Sequence, residues 1–120
     1  MPLVNPHGGG QLLALLVQEQ HVAAEKTRAA TLPRVRVSSR EKGDIIMLGI
    51  GGFTPLGGFM THADWQCVCD VMRTAEGLFW PIPITLSADA RFAETIAPGQ
   101  DIALLDPDDG ECLATKTAVG

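Results

Sequence analysis

Hydrophobic and polar positions alternate with several different periods along this chain, and each period predicts a different element. The turn-forming run Pro6-His7-Gly8-Gly9-Gly10 leads into the apolar stretch Leu12 to Val17, which predicts a turn feeding a buried apolar element. From Gln18 to Ala30 the residues are polar, charged or Ala without a wide apolar stripe, the pattern of a surface helix. Pro33 then opens Arg34-Val35-Arg36-Val37, a short half-buried strand by its period of two. Ser38-Ser39-Arg40-Glu41 fits a capping box, in which a Ser hydroxyl accepts from a free amide and the Glu three residues on answers back. The helix it starts has an apolar side at Ile45, Ile46 and Leu48, and Gly49-Ile50-Gly51-Gly52 ends it.

A second helix is predicted from Thr61 to about Arg73, with Trp65, Val68, Val71 and Met72 at helical spacing and directed to the core. Beyond Gly77 strands are expected to dominate. Pro81 to Leu86 reads as an apolar strand confined by its prolines to an edge or an irregular pairing, with Trp80 in the core against the helix carrying Trp65 and Val68. Ala97-Pro98-Gly99-Gln100 is a turn, Asp101 to Leu105 a strand, Asp106 to Gly110 a loop, and Glu111 to Val119 the return strand of a β-hairpin. The expected class is a mixed α and β domain, 1–120, with no linker and no internal repeat.

Composition narrows the function classes. The 120 residues are 46% hydrophobic and 19% charged, enough apolar material for one globular core and too little charge for a disordered chain. A net charge of −5 with no run of Lys or Arg argues against nucleic acid as a partner. Apolar runs such as Leu12 to Val17 are far below the ~20 residues of a membrane span, and no charged region with a cleavage signal opens the chain, so no membrane and a cytoplasmic location are expected. Three cysteines, with Cys67 and Cys69 two apart, match neither a zinc nor a redox pair and read as reduced thiols.

The chemistry-bearing residue types do not assemble into a motif. The glycine-rich run Gly49 to Met60 lacks the Lys-Ser or Lys-Thr of a phosphate-binding P-loop and follows a helix where a dinucleotide fingerprint would follow a strand; a tight, backbone-crowded connection is the simpler reading. His7, His21 and His62 lie in separate segments without metal-ligand spacing, so no metal site is expected. Asp106, Asp108 and Asp109 lack the distant Glu of a calcium loop and read as a solvated hairpin tip. Cys67 and Cys69 point in different directions on a helix and read as small packing residues.

The order of four blocks adds what the chemistry does not. Pro6-His7-Gly8-Gly9, the stretch Gly51-Gly52-Phe53-Thr54-Pro55-Leu56-Gly57-Gly58-Phe59-Met60, the segment from Met72 through Trp80-Pro81-Ile82-Pro83-Ile84 to Leu86, and Ala97-Pro98-Gly99 with its hairpin together resemble the N-terminal domain of ATP sulfurylases, the sulfate adenylyltransferases. Departures are minor: Thr54 stands where Ser is usual, Trp65 where Tyr is common, and Thr74-Ala75 where Leu follows the Arg. The resemblance implies an α+β fold, a mostly β PUA-like barrel (the pseudouridine synthase and archaeosine transglycosylase type) with short helices, left incomplete where this chain stops. It also implies packing against a separate nucleotide-binding catalytic domain. In the family that second domain carries Gln-x-Arg-Asn, His-x-x-His and Gly-Arg-Asp segments that bind ATP and sulfate. None of the three occurs in this sequence, so no catalytic, cofactor-binding or metal-binding residue carries over, and the chain alone is expected to be inactive.

Two partners follow from this reading, the separate catalytic domain and a second copy of the chain in a homo-oligomer. Phe53, Leu56, Phe59 and Met60 are the interface candidates, expected as an exposed apolar patch beside a bare strand edge. The rival expectation is a free-standing, non-catalytic PUA-like module that binds a small ligand or a protein.

Overall fold

The computed structural model describes residues 4–87 and 90–117. In chain order the elements are α1 (Glu19–Ala29), β1 (Arg34–Arg36), α2 (Ser39–Ile50), α3 (His62–Val71), α4 (Ala90–Thr95), β2 (Asp101–Leu105) and β3 (Cys112–Thr117). They fall into two compact units: one takes the chain up to Leu15 together with Ile46–Leu86, the other Leu16–Ile45 and the chain from Ser87 on.

The second of these units holds a three-stranded sheet in the order β1-β2-β3. β1 runs parallel to β2 with Arg34 opposite Ala103, and β2 runs antiparallel to β3 with Asp101 opposite Thr117. A bulge between Leu104 and Leu105 shifts the register so that Leu105 faces Cys112. The central strand is apolar without interruption, as expected for a strand covered on both faces: Ile102, Ala103 and Leu104 are all buried, joined by Val35 and Val37 from the β1 segment. The β-hairpin is the one the turn residues predict, as far as Thr117; its expected continuation to Val119 lies outside the described residues.

Polar contacts tie α1 to this sheet, since Ala29 alone among its residues is buried. Arg28 bridges Glu25 at 2.6 Å and Asp101 at 2.7 Å, while Thr115 on β3 donates to Glu25 at 2.9 Å. The capping box is present with both arms: the Glu41 amide donates to Ser38 Oγ at 3.1 Å and the Ser38 amide to Glu41 Oε1 at 2.8 Å. Glu41 goes further than a surface cap. Its side chain is buried, and Oε2 accepts from the Ser87 amide at 2.7 Å, so one carboxylate fixes a helix start to a segment 46 residues away.

The other unit is built on α3 and the irregular chain around it. Thr61 caps α3 through the Asp64 amide, and Met72 ends it in the left-handed region at φ 55°. Its core is Leu48, Val68, Trp80 and Ile84.

Four expectations are corrected here. Leu12 to Val17 forms no regular element and its leucines are exposed, because isolated contacts, the Leu13 amide to Thr54 and the Leu15 amide to Gly49, hold its main chain without a ladder or helix to continue them. Of the residues assigned to the buried face of α3 only Val68 is buried; Val71 and Met72 sit at the helix end and are exposed, and Trp65 is 38% exposed. Pro81 to Leu86 forms no strand, because Pro81 and Pro83 have no N–H to give a ladder, although Trp80 and Ile84 are in the core as expected. The α+β class holds, but α4 precedes the hairpin and the sheet of the described residues has three strands and is open, so the described residues are less β-rich than a mostly β barrel.

Burial pushes the Glu41 carboxyl up, but the amide donors of Ser38 and Ser87 outweigh it and hold the group below its ordinary 4.5. A depressed carboxyl adds stability that is present above the unfolded pKa and lost as pH falls through the folded one. Urea midpoints should therefore fall as pH drops below about 4.5, and part of that fall should vanish in Glu41→Gln. At pH 7 that variant should be about 1–3 kcal/mol less stable than the parent; equal stability of the two would show that the carboxylate does not bridge Ser38 and Ser87.

Candidate functional site

Three of the four sequence blocks that carry the resemblance meet around one side chain, Trp80. The Pro6 carbonyl accepts from the Gly9 amide at 3.0 Å in a turn that Gly8 and Gly9 permit with φ of 89° and 78°. That turn holds His7 so that Nε2 donates to the Phe79 carbonyl at 2.7 Å, with its ring centroid 5.6 Å from that of Trp80. Phe53 approaches Trp80 from the glycine-rich loop, edge to face at 83° and 5.9 Å. The Trp80 amide donates to the Met72 carbonyl at 2.8 Å, which closes the chain back on the end of α3. Trp80 is 8% exposed, and its buried indole N–H has no hydrogen-bond partner among the described residues.

The glycine-rich run is a crowded connection. Gly51 has φ 83°, and a Cβ there would lie 2.9 Å from Leu12 Cγ; a Cβ on Gly52 would lie 2.5 Å from Met47 Cε. Buried Thr54 does the fastening: its hydroxyl donates to the Gly51 carbonyl at 2.7 Å and accepts from the Leu13 amide at 2.9 Å. Either Ser or Thr supplies that hydroxyl, so the departure at this position keeps the function of the side chain. Nothing in the loop gathers backbone amides and a cation into a phosphate cradle.

Phe53, Leu56, Phe59 and Met60 are each partly buried and packed on the Leu48, Val68, Trp80, Ile84 cluster. They are therefore corrected as an exposed patch: the loop folds inward because its aromatic and aliphatic side chains complete the core of this unit. Apolar side chains more than half exposed in the same unit instead include Leu12, Ile46, Ile50, Val71, Met72 and Ile82.

An open groove of about 410 Å³ lies beside α3, lined by Met60, Thr61, His62, Trp65, Thr85 and Leu86. His62 and Trp65 lean together in it with centroids 5.4 Å apart. Its walls include no carboxylate, cysteine or second histidine to form a nucleophile and base pair. Among the described residues no three His, Cys, Asp or Glu side chains gather as a metal site. Cys67 is half-buried and Cys69 exposed on α3. The hairpin tip is only partly solvated: Asp108 and Asp109 are exposed, but Asp106 is buried, paired with Lys42 at 2.6 Å and accepting from the Asp108 amide at 2.8 Å. The Lys42 ammonium, with that amide, holds the Asp106 carboxyl below its usual range. The sequence pattern gave no sign of this pair, since Lys42 and Asp106 become neighbours only when the hairpin loop meets the start of α2.

The family model of the PUA-like domain matches residues 4–118. The chain belongs to the PUA-like domain family. Among curated proteins it is 58% identical over 113 residues to the sulfate adenylyltransferase of Thiobacillus denitrificans and 53% identical over 116 residues to that of Chlorobaculum tepidum. These matches cover 94% and 96% of this chain but 27% and 29% of the relatives, so the chain spans little more than a quarter of their length. The matched part is N-terminal, and the resemblance read from the four blocks is borne out. Among solved structures the PUA-like domain is similar to part of a hexameric APS kinase from Thiobacillus denitrificans, with a TM-score of 0.81 and 36% identity over 96% of this chain and 23% of that one. No helix among the described residues is long and apolar enough to cross a membrane.

Three of the blocks that mark this PUA-like domain thus hold its first unit together. Truncating Trp80 to Ala removes the side chain that His7 and Phe53 pack on and should cost roughly 3–5 kcal/mol. Urea unfolding measures it, and a loss under about 1 kcal/mol would mean that Trp80 does not organise the unit.

Proposed function

We propose that this PUA-like domain is the N-terminal scaffold of a sulfate adenylyltransferase, the enzyme that converts ATP and sulfate to adenosine phosphosulfate and pyrophosphate. The 58% identity over 94% of the chain carries the reading. In the whole enzyme, ATP and sulfate would bind the nucleotide-binding domain, where cations and amides stabilise the charge that develops at the α-phosphate. This chain supplies packing surface and stability to that domain, needs no cofactor of its own and is inactive alone. Its partners are the catalytic domain and, in an oligomer as the hexameric APS kinase is one, other copies. The setting is the cytoplasm, where ATP is available.

Pyrophosphate release from ATP and sulfate tests both halves of the proposal. The chain alone should stay at the no-protein background. A chimera in which it replaces the matching segment of the Thiobacillus denitrificans sulfate adenylyltransferase should turn over within about tenfold of the parent, since no residue in contact with substrate is exchanged. Turnover by the isolated chain that survives repurification would overturn the assignment of inactivity, and a folded but inactive chimera would overturn the scaffold role.

A further inference from the structure

The lysines of this chain are Lys26, Lys42 and Lys116, all in the second unit and each in a different setting. Lys26 stands exposed on α1. Lys42 lies 2.6 Å from the buried Asp106 carboxylate, which keeps its ammonium charged beyond the ordinary lysine range. Lys116 on β3 is half-buried, and among the described residues no carboxylate comes within ion-pair distance of it. The pleat of the sheet gives the reason. β2 and β3 pair Asp101 with Thr117, Ile102 with Lys116 and Ala103 with Thr115, so alternate pairs look to opposite faces. The acids belong to the face of Thr115 and Thr117: Glu25 accepts from Thr115 at 2.9 Å, Asp101 accepts from Thr117 at 2.6 Å, and Arg28 bridges both carboxylates. Lys116 is on the other face, beside Ile102, which is 6% exposed.

What surrounds an ammonium decides whether it can act as an amine. An apolar neighbourhood without a counter-charge disfavours the charged form, and burial alone pushes the Lys116 side chain down from the ordinary lysine range. Its Nζ donates to the Thr117 carbonyl at 3.2 Å. In the neutral amine that bond occupies one N–H and leaves the lone pair for an electrophile. Lys42 has the reverse arrangement, because the proton that Asp106 stabilises there takes up the lone pair. A lysine deprived of both water and counter-charge is the form in which an amine becomes a nucleophile.

We propose that Lys116 is a covalent modification site, the lysine of this chain that takes an acyl group from an activated donor of the acyl phosphate class. The lone pair of neutral Nζ attacks the acyl carbon and forms the C–N bond of an amide. The bond between that carbon and the phosphate oxygen breaks, inorganic phosphate leaves with the electron pair, and the surplus proton on nitrogen passes to water. No oxidant or further reagent enters. The product carries no charge at this side chain, so the apolar face loses an ion for which it has no counter-charge.

Acetyl phosphate, added to the intact folded chain near neutral pH and stopped at low conversion, is the probe. The chain is then unfolded and every remaining amine capped with deuterated acetic anhydride, so that mass spectrometry reads the light-to-heavy ratio at each lysine. Lys116 should carry at least about threefold more light acetyl than Lys26 and about tenfold more than Lys42. When the same reaction is run in urea, where the sheet is lost, the three lysines should agree within about twofold. Ala114→Glu puts a carboxylate on the face of Lys116, two residues along β3, and should lower labelling there at least about threefold, whereas Ala114→Gln should not. Labelling of native Lys116 no higher than that of Lys26, a preference that survives in urea, or equal labelling in the Glu and Gln variants would overturn the proposal. Should Ala114→Glu not fold, the native and urea ratios of the parent decide.

Discussion

Trp80 is the side chain on which half of this molecule depends. Five residues of its unit, His7, Leu48, Phe53, Val68 and Ile84, come from four separate stretches of sequence, and they share no strand ladder that could bring them together. In the absence of a sheet the unit relies on one large aromatic surface, reached by a histidine on one side and a phenylalanine edge on the other. Its backbone is fixed by single hydrogen bonds at the points where the chain turns: His7 to Phe79, Leu13 to Thr54, Trp80 to Met72 and Met60 to Ile84. Each of these is a local clamp; burial around Trp80 makes them cooperate.

The second unit solves the same problem differently. It has a ladder, and its central strand Asp101–Leu105 is apolar enough to be covered on both faces. Polar bridges then fix what lies on the sheet. Arg28 with Glu25 and Asp101 holds α1, and Lys42 with Asp106 holds the hairpin loop against the start of α2. Glu41 is the most consequential of them, because its carboxylate is buried and each of its oxygens has a backbone donor. Charge in this unit fixes position.

How much of this the sequence disclosed depends on whether a feature is local. Caps and turns were legible: Ser38 with Glu41, Thr61 with Asp64, the Ala97 to Gln100 turn and the Asp106 to Gly110 loop are decided by residues within a few positions of each other. Burial was less so. Trp65, Val71 and Met72 have helical spacing but their side chains are exposed, and periodicity alone does not say how far along a helix the core extends. Phe53, Leu56, Phe59 and Met60 read as an exposed patch because a separate domain was expected to cover them, whereas they pack on the Leu48, Val68, Trp80 and Ile84 cluster of their own unit. At the candidate site the burial of Trp80 was legible in the sequence. The meeting of His7, Phe53 and Trp80 was not, because it joins positions far apart in the chain through contacts that no local pattern records.

The central claim is that three of the marked sequence blocks are packing elements assembled on Trp80. A double-mutant cycle between Phe53→Leu and Trp80→Leu, followed by urea unfolding, measures the most direct contact between two of them. An edge-to-face pair should give a coupling of about 0.5–1.5 kcal/mol beyond the two separate losses. Losses that add to within about 0.3 kcal/mol would contradict the claim, because they would mean that the two blocks are stabilised independently.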